Sequence, residues 1–190
     1  MAKFTLHVDF DQDVESPETH DGQWRLYSFR RGSGVDPYEY LSSKTRGGEV
    51  VAANIGFQRK LDCGTAFIVS CYQHSNVVWS LRGEGPQCQW DTAQVAGVLV
   101  WEHPVGDMGA KDKAGRAEDA RGFLREFNAW SNGQCFCYWI EDEHGENTDS
   151  CGGFIGAEGF AKMIHEDHPE LFADGVELEI AGEAAGVMEG

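Results

Sequence analysis

The chain has 190 residues, of which 41% are hydrophobic and 12% aromatic. This length suits one domain, or one domain with a tail, and the composition excludes a wholly disordered chain. No stretch approaches about 18 consecutive apolar residues, and the first residues lack the basic and then apolar layout of a secretory signal. We therefore expect a cytoplasmic protein without a membrane span.

Acidic residues outnumber basic ones by 32 to 15, which gives a net charge of −17. Residues 139–190 contribute most of it, with 14 acidic residues and a single basic one, Lys162. Long-range repulsion opposes the approach of nucleic acid or of an anionic membrane, so neither is an expected partner. A basic protein surface, including one that normally holds DNA or RNA, would attract the chain. Solubility, or adaptation to high salt, is the alternative explanation of the charge.

Apolar residues that alternate with polar ones, or that form short continuous runs, predict most of the elements as β-strands. In chain order, strands are predicted at residues 3–8, 24–30, 65–72, 77–81, 95–101 and 134–142. Residues 73–76 have the length of a hairpin loop, and residues 147–150 are expected to pair back onto the preceding strand. Residues 49–57 fit either a short strand or a helical turn, and residues 31–48 and 103–115 are predicted as loops.

Two segments show apolar residues at spacings of three and four, which indicates an amphipathic helix. The first is residues 117–130, followed by Asn132 and Gly133 as a stop signal. The second is residues 157–165, which ends before Pro169. Two amphipathic helices are therefore predicted, both in the second half of the chain.

This order of strands and helices predicts an α+β fold, with a mainly antiparallel sheet and two helices packed on one face. From Asp174 onward the residues are small and acidic. We therefore expect a single α+β domain over residues 1–172 and an acidic C-terminal appendage over residues 173–190.

The six cysteines are expected to be reduced, because no export signal precedes them. No pair has the Cys-x-x-Cys spacing of a zinc ribbon. Cys135 and Cys137 share one face of a predicted strand, which favours packing as small apolar side chains. A zinc site built from His74, Cys88 and Cys151 is chemically allowed, but these ligands are scattered along the sequence. Neither a metal nor another cofactor is expected.

The stretch QCQWDTAQ, residues 87–94, combines reactive and polar side chains just before a predicted strand. A nucleophilic thiol needs a neighbouring histidine or helix N-terminus and an orienting carboxylate or carboxamide. The candidate catalytic residues are therefore His74, Cys88, Asp91 and Gln94. In the alternative, the stretch anchors the strand: Asp91 caps a turn, Trp90 buries a large surface and Gln94 bonds nearby backbone. We favour anchoring, and with it a binding protein over an enzyme.

Two acidic segments offer further possibilities. Residues 9–13 follow a strand and could act as a magnesium-dependent phosphatase loop with Asp9 as nucleophile, but no βαβ repeat follows them. Residues 141–146 could bind calcium, but they lack the alternation of an EF-hand loop. A solvated hairpin tip is the favoured interpretation of residues 141–146.

Several short motifs together resemble a family of small proteins found largely in phages and plasmids. The residues that carry the resemblance are Glu15, Ser16, Pro17, Asp21, Gly22, Phe29, Arg30, Arg31, His74, Ser75, Cys88, Trp90, Asp91, Gln94, Glu141, Asp142, Glu143, Gly145, Asp149, Ser150, Cys151, Gly153, Phe154 and Gly156. The chain departs from the pattern at Asn76, where Gly is usual, at Gln89, where Pro is usual, and at Gly152, where Trp is usual. Residues 173–190 lie outside the resemblance, which implies a protein of mobile genetic elements.

Charge and resemblance together predict an anti-defence phage protein that acts in the host cytoplasm. It would bind a host nucleic-acid-handling immune complex, a CRISPR effector or a restriction enzyme, through an acidic surface that mimics DNA. The expected partner-binding residues are Asp11, Asp13, Glu15, Glu141, Asp142, Glu143, Glu146 and Asp149. The alternatives are a small enzyme centred on Cys88, or an accessory protein that holds a structural partner through an apolar contact such as Trp79 or Trp101.

Overall fold

The strands form two separate four-stranded sheets, each in its own unit of the chain. The computed structural model describes residues 2–20, 23–29, 37–41 and 52–189. The first unit comprises residues 1–16 and 129–190, and the second unit comprises residues 17–128.

The described strands and helices are, in chain order, β1 (Lys3–Phe10), α1 (Pro17–His20), β2 (Trp24–Ser28), α2 (Ile55–Cys63), β3 (Ala66–Gln73), β4 (Val77–Leu81), β5 (Thr92–Trp101), α3 (Lys113–Ser131), β6 (Cys135–Glu141), β7 (Asn147–Ile155), α4 (Ala157–Asp167) and β8 (Glu177–Ala181). Short 3-10 turns lie at Pro37–Glu39, Val105–Asp107, Pro169–Phe172 and Ala185–Glu189.

The sheet of the first unit has the order β7-β6-β1-β8. Strand β1 pairs antiparallel with β6 and parallel with β8. Because side chains alternate along a strand, Leu6 and Val8 share one face, and both are fully buried. They pack in one core with Phe160 and Ile164 of α4. Helix α4 therefore covers one face of this sheet.

The sheet of the second unit has the order β2-β5-β3-β4, and all its neighbouring strands are antiparallel. In β5 three consecutive residues, Val98, Leu99 and Val100, are fully buried. Successive side chains point to opposite faces, so this strand is covered on both sides. Strand β5 is thus the centre of the second unit.

The predicted α+β class and the mainly antiparallel pairing are confirmed. Two details of the prediction are wrong: the strands form two sheets, and the described residues contain four α-helices rather than two. The larger missed helix, α2, begins at an N-cap in which Asn54 Oδ1 accepts the Phe57 N–H at 2.8 Å. It ends at Gly64, whose φ of 78° is typical of a helix C-terminus.

All six predicted strands and both predicted helices are present, most with shifted or longer bounds. The hairpin between β3 and β4 is confirmed by the pairing of Gln73 with Val77. The segment expected to pair back onto β6 does so, and as β7 it extends to Ile155. Arg30, residues 31–36 and residues 42–51 lie outside the described residues. Within the described part of the chain, no helix is long and apolar enough to cross a membrane.

The residues expected as a C-terminal appendage contribute to the sheet and core of the first unit. Strand β8 pairs with β1, and beyond it Ala184 donates its N–H to Val8 O at 3.0 Å. Ala184 is buried. Gly182 makes this return possible, because its φ is 105° and an added Cβ would lie 2.2 Å from Val8 O.

We predict that Gly182→Ala lowers the free energy of unfolding by about 2 kcal/mol, because a positive φ and a backbone clash both oppose the new methyl group. Urea unfolding followed by circular dichroism measures the change. Gly186→Ala is the matched control, since an added Cβ there has no neighbour within 4 Å. Equal stability of the two variants would contradict this account of the C-terminal segment.

Candidate functional site

The net charge of the chain is concentrated in its first unit. That unit contains 18 acidic and two basic residues, hence a net charge of −16, whereas the second unit contains 14 acidic and 13 basic residues, hence −1. All eight residues predicted to bind a partner belong to the first unit. Residues 1–16 contain four acidic residues and residues 129–190 contain 14, and the fold assigns both segments to one unit.

Backbone N–H groups hold the carboxylates of Asp11 and Asp142 in place. Asp11 accepts the Gly153 N–H at 2.8 Å and the Asp13 N–H at 3.1 Å. Asp142 accepts the N–H groups of Glu146 and His144, at 3.0 Å and 2.8 Å. The hydrogen bond from Glu146 lowers the pKa of Asp142 most, and the hydrogen bond from His144 lowers it further. Both side chains therefore shape loops of the fold.

Asp149 also takes part in bonding within the unit. Its Oδ2 lies 3.3 Å from the Tyr138 hydroxyl, which donates to it, and 3.2 Å from His168 Nε2. Burial, followed by the charge of Asp149, raises the pKa of Tyr138 to about 12. Tyr138 therefore stays protonated as a donor at neutral pH.

Glu141 has intramolecular partners as well. Its Oε2 lies 3.3 Å from His7 Nε2, and its Oε1 accepts the Trp139 indole N–H at 3.3 Å. The rings of His7 and Trp139 stack at 4.5 Å. Glu141 thus belongs to a small cluster on the sheet.

The other four predicted carboxylates are the most available to a partner. Asp13, Glu15, Glu143 and Glu146 are all exposed. Among the described residues none of them pairs with a lysine or arginine, and the one ion-pair contact is that of Glu143 with His144 at 3.6 Å. These four side chains form what we call the exposed acidic set.

The phosphatase interpretation of residues 9–13 is wrong. Asp9, the proposed nucleophile, accepts the Glu183 N–H at 2.6 Å and so anchors the C-terminal segment. The fold adds a second contradiction, because β1 lies in a mainly antiparallel sheet rather than a doubly wound one.

Metal sites find no support in the described ranges of the chain. No group of three or more His, Cys, Asp or Glu side chains there is arranged to hold an ion. Of the zinc ligands considered, His74 and Cys88 belong to the second unit and Cys151 to the first. The 141–146 segment forms the tight turn between β6 and β7, where the Gly145 N–H donates to Asp142 O at 3.0 Å.

Three of the four candidate catalytic residues come together in the second unit. The Cys88 thiol lies 3.3 Å from Asp91 Oδ2, and His74 Nδ1 lies 3.8 Å from the same oxygen. Gln94 does not join them, because its amide donates to Gln87 Oε1 at 2.8 Å. The cluster therefore has the order thiol, carboxylate, imidazole.

This order does not suit nucleophilic catalysis by Cys88. An activated thiol needs a histidine, another positive charge or a helix N-terminus next to its sulfur. Here the neighbour of the sulfur is the carboxylate of Asp91, which accepts the S–H and repels a thiolate. The geometry therefore favours anchoring, as the sequence interpretation did.

The residue that anchors the turn is Thr92, which the sequence interpretation overlooked. Its hydroxyl accepts the Cys88 N–H at 2.9 Å and donates to Pro86 O at 3.0 Å. The expected roles of Asp91, Trp90 and Gln94 are wrong. Asp91 Oδ2 faces a thiol and an imidazole and caps no turn of the described chain, Trp90 is 87% exposed, and Gln94 bonds a side chain. A Cys-x-x-x-Thr spacing around a turn was the available signal for Thr92.

The structure contradicts one further expectation about side chains and agrees with another. Trp79 and Trp101, suggested as apolar contacts for a partner, are 3% and 2% exposed and so belong to the core. Cys135 is buried, as expected, and burial raises the pKa of its thiol.

Cys63 is the thiol whose surroundings favour the thiolate. Desolvation opposes this, but the hydrogen bond with Thr65 and the charge of Arg116 lower the pKa of Cys63. The sulfur lies 3.2 Å from Thr65 Oγ1, and Arg116 donates to the carbonyl oxygen of Cys63 at 2.8 Å. Arg116 lies 53 residues away in the sequence, so only the fold reveals this contact.

Comparison with protein-family models, with curated proteins and with solved structures finds no match to this chain. The resemblance to phage- and plasmid-borne proteins therefore stays a prediction.

We predict that iodoacetamide at pH 7 to 8 alkylates Cys63 faster than Cys151, because both are exposed and the Thr65 hydrogen bond and the Arg116 charge lower the pKa of Cys63. Peptide mapping by mass spectrometry at successive times gives the rate at each cysteine. Arg116→Gln should slow the reaction of Cys63 and leave that of Cys151 unchanged. Fastest labelling of Cys88 would contradict this assignment and revive the catalytic interpretation.

Proposed function

We propose that this chain is an anti-defence binding protein that acts in the host cytoplasm. Its first unit would occupy the basic, nucleic-acid-binding surface of a host immune complex, such as a CRISPR effector or a restriction enzyme. The observation that carries the proposal is the net charge of −16 on the first unit, against −1 on the second. The first unit thus carries a negative charge that attracts basic partners, and the second unit is nearly neutral.

The physical basis is competition with phosphates. Duplex DNA presents one negative charge per ~1.7 Å of its axis, and proteins neutralise these charges with lysine and arginine. Two basic residues, Lys3 and Lys162, are too few to neutralise 18 acidic ones within the first unit. The unit therefore retains an electrostatic potential that steers a basic surface toward it.

The exposed acidic set is the part of this surface that we expect to contact the partner most directly. Its members are exposed, and removing their charge breaks no hydrogen bond from their side chains to the described backbone. Asp11, Asp142 and Asp149 instead shape the loops that present the set.

A thiol enzyme centred on Cys88 receives less support. The carboxylate of Asp91 contacts both the thiol and His74, so the group described beside the sulfur is an anion and not the imidazole. The chain would therefore act by binding in a fixed ratio to its partner rather than by turnover.

The proposal is tested with a panel of purified CRISPR effector complexes and restriction enzymes that hold fluorescently labelled duplex DNA. Adding the chain should release the DNA from its target, which fluorescence anisotropy detects. Direct binding of the chain to the DNA-free target should weaken as salt rises, because the contact depends on charge.

We predict that reversing three charges of the exposed acidic set, with Glu15→Lys, Glu143→Lys and Glu146→Lys, weakens this competition by at least about tenfold at about 0.1 M salt. The matched control reverses three exposed charges of the second unit, with Glu39→Lys, Asp62→Lys and Asp107→Lys. Both triple variants change the net charge equally, so any difference between them shows that the position of the reversed charges matters. Equal loss in both, or DNA that stays bound throughout the panel, is the contrary outcome.

A further inference from the structure

A cavity of about 600 Å³ opens in the second unit, beside strands β3, β4 and β5. Its volume lies in the range of small-molecule sites. Aromatic side chains make much of its lining, namely Phe29, Trp79 and Trp90. Its charged or titratable lining residues are Cys71, His74 and Asp91. The function proposed above uses none of these residues.

One ring of the aromatic lining is held in the core, and the other two are open to solvent. Trp79 is buried, and its backbone N–H and C=O each bond to the Asn128 side chain at 2.8 Å. Trp90 is 87% exposed and Phe29 is 38% exposed. An indole so exposed contributes little to the core and is accessible to a ligand in the cavity.

The charge of the lining determines whether the cavity favours a positively or a negatively charged ligand. Asp91 is the acidic residue of the described lining, and no lysine or arginine appears there. The Oδ2 of Asp91 faces the Cys88 thiol and His74, whereas its Oδ1 makes no hydrogen bond to a described residue. One carboxylate oxygen is therefore available beside the aromatic rings.

We propose that this cavity binds a small organic cation of the alkylammonium class. The faces of aromatic rings attract such cations, and tryptophan does so most strongly. Asp91 supplies the countercharge, and the apolar body of the ligand contacts Phe29 and Trp79. This site is independent of the acidic surface of the first unit, and either can exist without the other.

The test compares two ligands of nearly the same shape by isothermal titration calorimetry. Choline carries a quaternary ammonium, and 3,3-dimethylbutan-1-ol replaces its nitrogen with carbon and is neutral. Choline should bind at least about tenfold more tightly than the neutral alcohol, because the alcohol loses both the aromatic and the carboxylate attraction.

Variants then assign the binding to the cavity. Trp90→Leu should weaken choline binding by about tenfold, and Asp91→Asn should do so while keeping an acceptor for the Cys88 thiol. Ile55→Ala is the control, because Ile55 is another exposed apolar side chain of the second unit, at 74% exposure, and does not line the cavity. It should bind choline like the original chain, and circular dichroism verifies the fold of each variant.

Three outcomes overturn the proposal. They are equal affinity for the two ligands, choline binding that Trp90→Leu leaves unchanged, and no binding heat at about 10 mM choline. None of these outcomes bears on DNA displacement, so failure here is separable from failure of the anti-defence function.

Discussion

Asp9 and Asp11, at the end of the first strand, accept backbone N–H groups that are distant in sequence. Asp9 bonds Glu183 at 2.6 Å and Asp11 bonds Gly153 at 2.8 Å, so the two carboxylates tie β1 to the C-terminal segment and to β7. With two basic residues for 18 acidic ones, the first unit depends on amide N–H groups where other proteins use lysine and arginine. This division between anchored and exposed carboxylates determines which charges remain for a partner.

The second unit follows a different electrostatic scheme. Arg121 holds Glu84 through two hydrogen bonds of 2.9 Å and 2.8 Å and contacts Glu118 at 3.0 Å. Such bidentate pairs fix side-chain geometry, and they leave little net charge for long-range attraction. The two units therefore suit different chemistry: charge for a basic macromolecule in the first, and an aromatic cavity with one carboxylate in the second.

Local patterns were sufficient to predict seven of the eight described strands, because alternation and apolar runs report burial directly; β4 has the predicted bounds, 77–81, whereas β8 was missed. Helix α2 was missed although Asn54 and Gly64, its caps, are visible in the sequence, since its short apolar face fitted a strand equally well. The parallel pairing of β8 with β1, the contact of Arg116 with Cys63 and the exposure of Trp90 depend on tertiary structure. Acidic composition at both chain ends indicated the candidate surface, but only the fold separates anchored carboxylates from exposed ones.

We expect a partner to bind the first unit through its acidic loops. Hydrogen–deuterium exchange of the chain, alone and in complex with an immune enzyme from which it displaces DNA, tests this expectation. Protection confined to residues 11–16 and 141–150 is the predicted result, since a bound surface excludes solvent from these loops. Protection confined to residues 73–96 of the second unit, with the acidic loops exchanging as freely as before, would contradict this expectation.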